Sequence, residues 1–244
     1  KPSLALVGKG ITFDTGGLNL KPSNALKGMQ YDMSGASIAV ALMYAFAALK
    51  KTPNFAVVVP LAENTISADC TKVSDVIKSY DGKTVEITNT DAEGRLALAD
   101  AMSYAIKDLK VDSLATIATL TGGVIIALGD IFSAYWATNE KQAKQIKQAA
   151  ELSGEYVWEL PFHDSIKKRL TTKSITADYI NSDEVRAAQS ISGAEFLKLF
   201  AENVDFMHFD IAGTNEYNSK GKSQPIPILM YTLFNFVKDN YKGK

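Results

Sequence analysis

Short runs of apolar and β-branched residues alternate along this chain with longer stretches of helical periodicity. Strands are predicted by the runs 4 to 8, 55 to 62, 113 to 120, 131 to 138 and 204 to 210. Helices are predicted by the stretches 33 to 50, 96 to 108, 140 to 152, 193 to 202 and 227 to 241. Such alternation is typical of βαβ crossovers, which cover both faces of a largely parallel sheet with helices. We therefore expect an α/β fold in one domain, a three-layer α-β-α sandwich.

The run from Val76 to Thr88 predicts a different local structure. Its Asp81-Gly82 pair is a strong signal for a tight hairpin turn between two short strands. An antiparallel hairpin beside parallel strands would make the central sheet mixed. In an open α/β sheet, ligands bind beyond the carboxyl ends of the strands. A site is therefore expected in the loops after residues 8, 62, 88, 120 and 210.

The charge and cysteine content exclude several classes of function. The 244 residues include 26 Lys+Arg and 27 Asp+Glu, for a formal net charge of -1. The chain has no strongly basic segment of the kind that binds nucleic acid or an anionic membrane. The near-zero charge therefore predicts a small-molecule partner. The longest strongly apolar run, 38 to 49, is shorter than the roughly 20 residues that span a bilayer. The single cysteine, Cys70, cannot form an intramolecular disulfide, so a cytoplasmic location is expected.

The histidine content restricts the chemistry further. His163 and His208 are the only two histidines, so a three-histidine zinc site is impossible and any metal must be held mainly by carboxylates. Both histidines are expected to be structural. The stretch from Gly35 to Ala39 nearly matches the GxSxG nucleophile elbow, which leaves open a serine esterase that uses Ser37. Because no strand is predicted to run into that turn, small-residue packing at a helix start is the preferred interpretation.

Three segments concentrate acidic residues and lysines beside glycines in predicted loops. They run from 8 to 22, from 29 to 33 and from 89 to 95. Each has a structural explanation of its own. Asp14 is followed by a Gly-Gly turn, Asp32 could cap the next helix, and Thr90 with Glu93 forms a formal capping box.

Together the three segments indicate a metal site. Asp14, Asp32, Asp91 and Glu93 supply four carboxylates at loops that a doubly wound sheet brings together. Four like charges in one cleft repel strongly unless cations neutralise them, and two divalent ions would balance them. Such two-metal sites activate water against a carbonyl or a phosphoryl centre, and the spacing alone does not choose between these substrates.

Longer motifs extend these segments. GKGITFDTGG occupies residues 8 to 17 and NTDAEGRL occupies residues 89 to 96, and further matches are Lys21-Pro22, Asp32-Met33, Gly35-Ala36, Ala118 to Gly122 and His208 to Gly213. With them the chain resembles the leucine aminopeptidase (cytosol aminopeptidase) family over essentially its whole length. The resemblance implies a dinuclear metallopeptidase that removes N-terminal residues from peptides.

The resemblance also implies a role for each site residue. Asp14 and Glu93 would bridge two divalent ions, Zn²⁺ and/or Mn²⁺. Lys9 and Asp32 would complete one metal site, and Asp91 the other. Lysine ligates a metal only as the neutral amine, so the adjacent dication must depress its pKa.

The remaining roles concern catalysis and substrate binding. By resemblance, Lys21 would polarise the scissile carbonyl, and Arg95 would hold a bicarbonate that takes the proton from a nucleophilic water between the metals. Met29 and Ala212 would line an apolar pocket that prefers Leu or Met as the first residue. The substrate-binding residues implied in this way are Met29, Thr119, Leu120, Gly122 and Ala212.

Three departures from the family pattern bear on specificity. Gln30 stands where the family commonly has Lys, and Asn215 stands where a pocket residue is often apolar. Where the family has a Gly-rich stretch, this chain has Ala187-Ala188-Gln189-Ser190.

The resemblance also makes three statements about the whole protein. It implies a homo-oligomer, typically a hexamer. It implies that residues 1–244 are the catalytic domain and that an N-terminal domain and the opening of the catalytic domain precede it. A non-catalytic binding module is the remaining alternative.

Overall fold

A six-stranded sheet forms the centre of the computed structural model, which describes residues 1–219 and 222–243. In chain order the strands are β1 (Leu4–Gly8), β2 (Gly10–Asp14), β3 (Phe55–Val58), β4 (Leu61–Asn64), β5 (Val76–Lys78), β6 (Thr84–Glu86), β7 (Ser113–Ala118), β8 (Ser133–Ala137), β9 (Val157–Glu159), β10 (Tyr179–Ile180), β11 (Asp205–Asp210), β12 (Glu216–Ser219) and β13 (Lys222–Pro225). The helices are α1 (Ser23–Leu26), α2 (Ser34–Ala48), α3 (Glu93–Tyr104), α4 (Gly122–Leu128), α5 (Glu140–Ser153), α6 (Asp164–Thr171), α7 (Gln189–Lys198) and α8 (Met230–Asn240).

The central sheet has the strand order β3-β1-β7-β11-β8-β9. Strands β3, β1, β7 and β11 are mutually parallel, whereas β8 runs antiparallel to β11. The predicted mixed sheet is therefore confirmed, but its cause was predicted wrongly. The hairpin of β5 and β6 does form, and it pairs with β10 in a separate three-stranded sheet.

Helices cover both faces of the central sheet, which confirms the predicted three-layer α-β-α sandwich. Strand β1 shows this arrangement, because Leu4 and Leu6 belong to one buried cluster with residues of α2, α5 and α8, whereas Ala5 and Val7 belong to another with residues of α3 and α7. Side chains alternate between the faces of a strand, so an uninterrupted apolar run is buried on both sides. Full burial of each Leu side chain stabilises the fold by about 1.5–3 kcal/mol.

Residues Ser23–Ala48 together are long and apolar enough to cross a membrane by length and composition alone. The fold interrupts this stretch with a 3-10 turn at Met29–Tyr31, between α1 and α2. On α2, Ile38, Leu42 and Phe46 are buried in the core against the sheet. The stretch therefore contains a core helix of the sandwich.

Several predicted boundaries differ from the structure. The run 55 to 62 is two strands, because β3 ends before Pro60 and β4 pairs with β2 away from the central sheet. Proline cannot donate to a sheet ladder, which is consistent with the break. Helix α3 begins at Glu93 instead of 96, and the predicted helix 193 to 202 is α7, four residues earlier.

A strained residue precedes α7 and gives a testable stability change. Ala188 has φ of 61°, a left-handed conformation that costs a residue with a Cβ about 1–2 kcal/mol. Replacing Ala188 with Gly is therefore expected to raise the free energy of unfolding by about 1 kcal/mol, or the melting temperature by about 2–4 °C. Ala187→Gly is the matched control: it lies on the exposed neighbour, where φ is not positive. Equal effects of the two substitutions in urea unfolding would contradict the assignment of strain to Ala188.

Candidate metal centre

A cavity of about 500 Å³ opens at the carboxyl ends of β1, β7 and β11. The loops that follow these strands line it, together with the turn before α2 and the segment before α3. This is the position expected for a ligand site in an open α/β sheet. Every predicted site residue except Glu93 lines the cavity, and Glu93 contacts Lys9 directly beside it.

Lys9 lies directly after β1 and is only 3% exposed. Its Nζ is 2.8 Å from Oδ2 of Asp32 and 2.9 Å from Oε1 of Glu93, and it donates to the carbonyl of Thr119 at 3.2 Å. A Cβ on Gly94 would lie 2.3 Å from Cε of Lys9, so only glycine leaves room for this side chain. Three segments far apart in sequence therefore converge on one amino group.

Lys21 forms the second half of the cluster. Its Nζ is 2.9 Å from Oδ2 of Asp14 and 2.5 Å from Oδ1 of Asp91. The other oxygen of Asp14 accepts hydrogen bonds from the backbone N–H of Gly16 and from Nδ2 of Asn64, both at 2.8 Å. The orientation of Asp14 is thus fixed by its own loop and by Asn64 on β4, a residue to which the sequence analysis had given no role.

Oxygen atoms of Asp14, Asp91 and Glu93 lie within 4.8 Å of one another. Oε2 of Glu93 is buried and has no hydrogen-bond partner within the described part of the chain. An unpartnered carboxylate oxygen facing like charges is destabilising unless a cation is near. The donor set, carboxylate oxygens with one amine, fits divalent metal ions.

Burial also disfavours the ionised form of two carboxylates in the cluster. Burial raises the pKa of Asp32 above its usual range although Lys9 opposes the shift. Burial likewise raises the pKa of Asp91 to about 6, against the pull of Lys21. The two ammonium groups do not fully compensate four carboxylates, so the cleft retains an excess of negative charge. Divalent cations would supply the missing positive charge.

Arg95 lies in the first turn of α3 and is 5% exposed. Its Nη1 donates to the carbonyl of Asn181 at 2.9 Å, and its guanidinium lies over the ring of Phe196. Burial lowers its pKa, although nearby carboxylates oppose the shift. Among residues 1–219 and 222–243, no carboxylate lies within ion-pair distance of it. A buried guanidinium without a carboxylate partner can bind a small anion.

The loop after β7 is held in place by Asp210, a residue that sequence reasoning had not assigned a role. Its carboxylate accepts hydrogen bonds from the N–H of Leu120 at 3.0 Å, the hydroxyl of Thr121 at 2.6 Å and the N–H of Ala212 at 3.2 Å. Asp210 is fully buried, and burial raises its pKa to about 6. The signal in the sequence was an aspartate at the carboxyl end of an apolar strand.

Two of the simpler structural explanations are wrong. The residue before α2 is Met33, and the carboxylate of Asp32 instead accepts from the hydroxyl of Thr119 at 2.7 Å. The residue before α3 is Ala92, so no capping box forms. The hydroxyl of Thr90 donates to the carbonyl of Gly16 at 2.6 Å, which fastens the first and third predicted segments together.

The residues of the alternative serine esterase do not assemble. Ser37 is exposed on α2 and donates to the carbonyl of Ser34 at 2.9 Å, a bond within the helix. His208 is buried, its Nδ1 pairs with the hydroxyl of Thr116, and burial lowers its pKa to about 3. His163 caps α6. Neither histidine therefore contacts Ser37 as a base would.

The fold and the cluster define a class: α/β proteins with a carboxylate cluster, able to hold divalent metal, at the carboxyl ends of their strands. A family model described as "Cytosol aminopeptidase family, catalytic domain" matches residues 1–230. The chain therefore belongs to the cytosol aminopeptidase family, which confirms the resemblance found in the sequence.

Individual relatives agree with the family model. A "Probable cytosol aminopeptidase" of Legionella pneumophila (strain Corby) is 45% identical over 231 residues, covering 93% of this chain and 47% of the relative. One of Metamycoplasma salivarium is 40% identical over 238 residues, covering 98% of this chain and 45% of the relative. The solved structure of "Bottromycin maturation enzyme BotP in complex with Mn" matches with a TM-score of 0.89 at 34% identity, covering 97% of this chain and 53% of that one. This chain thus spans about half the length of the relatives it matches.

Proposed function

We propose that the protein is a metal-dependent aminopeptidase that hydrolyses the N-terminal peptide bond of peptides, and that residues 1–244 are its catalytic domain. The observation that carries the proposal is the convergence of four carboxylates and two lysines on one cavity. Membership of the cytosol aminopeptidase family supports it. The names of the relatives also support a cytoplasmic location.

The cluster would hold two divalent ions, Zn²⁺ and/or Mn²⁺. Asp14 and Glu93 would bridge them, with Lys9 and Asp32 at one site and Asp91 at the other. BotP, a similar protein, has been solved in complex with Mn, which supports this choice. When bound, the metals would supply Lewis-acid polarisation of the scissile carbonyl and a water nucleophile at neutral pH. Lys9 would then serve as a neutral amine, since metal competes with the proton for its lone pair.

Lys21 and Arg95 would perform the remaining chemistry. Metals would neutralise Asp14 and Asp91, and the Nζ of Lys21 would remain cationic and stabilise the oxyanion that develops on the scissile carbonyl. Arg95 would hold a bicarbonate, which supplies a proton acceptor. The site needs one because neither histidine lines the cavity.

The cavity also offers a binding surface for the peptide. Thr119, Leu120 and Gly122 would present backbone groups to it, on the loop that Asp210 fixes. Met29 and Ala212 would contact the first side chain and favour residues the size of Leu or Met. Each methylene contributes only about 1–3 kcal/mol to such discrimination, so a broad preference is expected. We further propose a homo-oligomer, a hexamer, which light scattering on the full-length protein would test.

Removal of metal is the direct test of this function. Dialysis of the full-length protein against a chelator is expected to reduce hydrolysis of Leu-amide at least about 100-fold, because the metals supply several kcal/mol of transition-state stabilisation. Addition of Zn²⁺ or Mn²⁺ should restore it. Ser37→Ala serves as the control and should retain activity.

The alternatives give different results in the same assay. Activity that is indifferent to chelation would contradict the proposal, and activity lost in Ser37→Ala would favour the esterase. Tight metal binding without hydrolysis of any peptide amide would favour a binding module.

A further inference from the structure

The cavity wall has a buried polar group close in sequence to an apolar residue of the proposed first-residue pocket. Met29 and Ala212 line the cavity, and so does Asn215, three residues after Ala212. Asn215 is 3% exposed, so its amide is almost completely withdrawn from bulk water. A buried amide is costly unless its donors and acceptors are satisfied.

The orientation of the Asn215 amide follows from its neighbours. The hydroxyl of Ser34 has one proton, and it donates this proton to the carbonyl of Tyr31 at 2.6 Å. Ser34 can therefore only accept from Asn215, whose Nδ2 lies 3.1 Å from that oxygen. The amide nitrogen points to Ser34, and the amide oxygen is the atom left for the cavity. No hydrogen bond to this oxygen occurs within the described residues.

The backbone on either side holds Asn215 in place. Its N–H donates to the carbonyl of Ile211 at 3.1 Å, and its own carbonyl accepts from the N–H of Ile226 at 2.9 Å. Asn215 therefore presents a fixed acceptor to which no group of the described residues donates. A ligand that brings an N–H donor to this position gains a hydrogen bond, whereas an apolar ligand leaves the acceptor unsatisfied.

We propose that Asn215 makes the pocket select a first residue of Met-like size that carries a hydrogen-bond donor at its tip, with glutamine as the best natural fit. This inference rests on the proposed aminopeptidase function. The wall formed by Met29 and Ala212 limits the size of the substrate's first side chain, and the amide oxygen of Asn215 accepts a hydrogen bond from the group at the end of that side chain. Met and Gln are close in length, and Gln ends in an amide that supplies a donor together with an acceptor, so the two substrates are matched in length and differ in the polar group at the tip.

The experiment compares Met-amide with Gln-amide as substrates of the full-length, Mn²⁺-loaded protein and of the Asn215→Leu variant. Leucine matches asparagine in the number and branching of its side-chain heavy atoms and lacks the acceptor, but its methyl groups occupy more volume than the amide. The wild-type protein is expected to show a kcat/KM for Gln-amide about tenfold above that for Met-amide, and Asn215→Leu should reverse the ratio. Asn215→Ala, which adds no atoms to the site, should lower the ratio of Gln to Met in the same direction if the leucine variant does not fold.

The outcomes separate the two claims. A reversal of the ratio, with improved Met-amide hydrolysis by Asn215→Leu, supports the inference, since damage to the fold would lower both rates together. Hydrolysis of both substrates at a ratio that neither variant changes would overturn the inference alone. Hydrolysis of neither substrate by the metal-loaded wild-type protein would overturn the proposed function and the inference with it.

Discussion

Glu93→Gln is expected to weaken divalent metal binding at least about 100-fold and to reduce peptide-amide hydrolysis by a similar factor or more. Even the loss of a group that only supports a metal ligand costs about 10–100-fold in affinity, and Glu93 is proposed as a ligand shared by both ions. The substitution keeps the shape of the side chain and removes its charge. Oε2 of Glu93 has no hydrogen-bond partner in the described chain, so the fold itself gives it nothing to bind. Titration with Mn²⁺ by calorimetry, with metal content after dialysis, measures the effect.

The matched control for Glu93→Gln is Glu151→Gln, the same change at an exposed position of α5. It should leave metal affinity and activity unchanged. Glu93 also lies in the first turn of α3, where a negative charge stabilises the helix by about 0.3–1 kcal/mol. A small loss of stability in Glu93→Gln is therefore expected as well. Two tightly bound ions and normal activity in Glu93→Gln would contradict the assignment of Glu93 as a bridging ligand.

The sequence could predict which residues lie together in the candidate site because they lie in short contiguous motifs at the ends of apolar strands. Lys9 follows β1 directly, and Thr119 follows β7, so the strands that periodicity identifies already bring these residues to one edge of the sheet. Contacts made across the fold could not be predicted in this way. Asn64 on β4 holds Asp14, and Asn181 holds Arg95, through hydrogen bonds that depend on the path of loops.

Strand direction and sheet membership were harder to predict than strand position. The run that became β8 was located correctly, but its periodicity is the same whether it pairs parallel or antiparallel. The hairpin at Val76–Lys78 and Thr84–Glu86 was predicted from its turn residues, which say nothing about the sheet it joins. Tertiary packing decides both, and a local pattern does not contain that information.

The formal net charge of the whole chain is only -1, although its candidate site contains four acidic residues close together. Asp14, Asp32, Asp91 and Glu93 are partly compensated by two lysines within ion-pair distance. These two lysines supply part of the positive charge that the four carboxylates need. Metal binding would then replace ion pairs with coordination bonds, so added metal should raise the stability of the protein as well as its activity.

The largest effect on stability is expected at Gly35, where α2 crosses the sheet. A Cβ on this residue would lie 1.9 Å from the carbonyl oxygen of Ile117 and 3.0 Å from the backbone nitrogen of Lys9. These are backbone atoms of the sheet and of the loop directly after β1, so they cannot move aside as a flexible side chain can. The helix would have to separate from the sheet, which would break the 2.9 Å hydrogen bond from the N–H of Ala36 to the carbonyl of Lys9.

Gly35→Ala is accordingly expected to lower the free energy of unfolding by at least about 4 kcal/mol, among the largest effects of single substitutions. It should also displace Asp32 from Lys9, so any soluble fraction should bind metal poorly. Ser37→Ala, two residues along the same helix and exposed, should change the free energy of unfolding by no more than about 0.5 kcal/mol. Urea unfolding followed by circular dichroism compares the two variants. A Gly35→Ala protein as stable as Ser37→Ala would show that the helix does not need this close approach to place Asp32 beside Lys9.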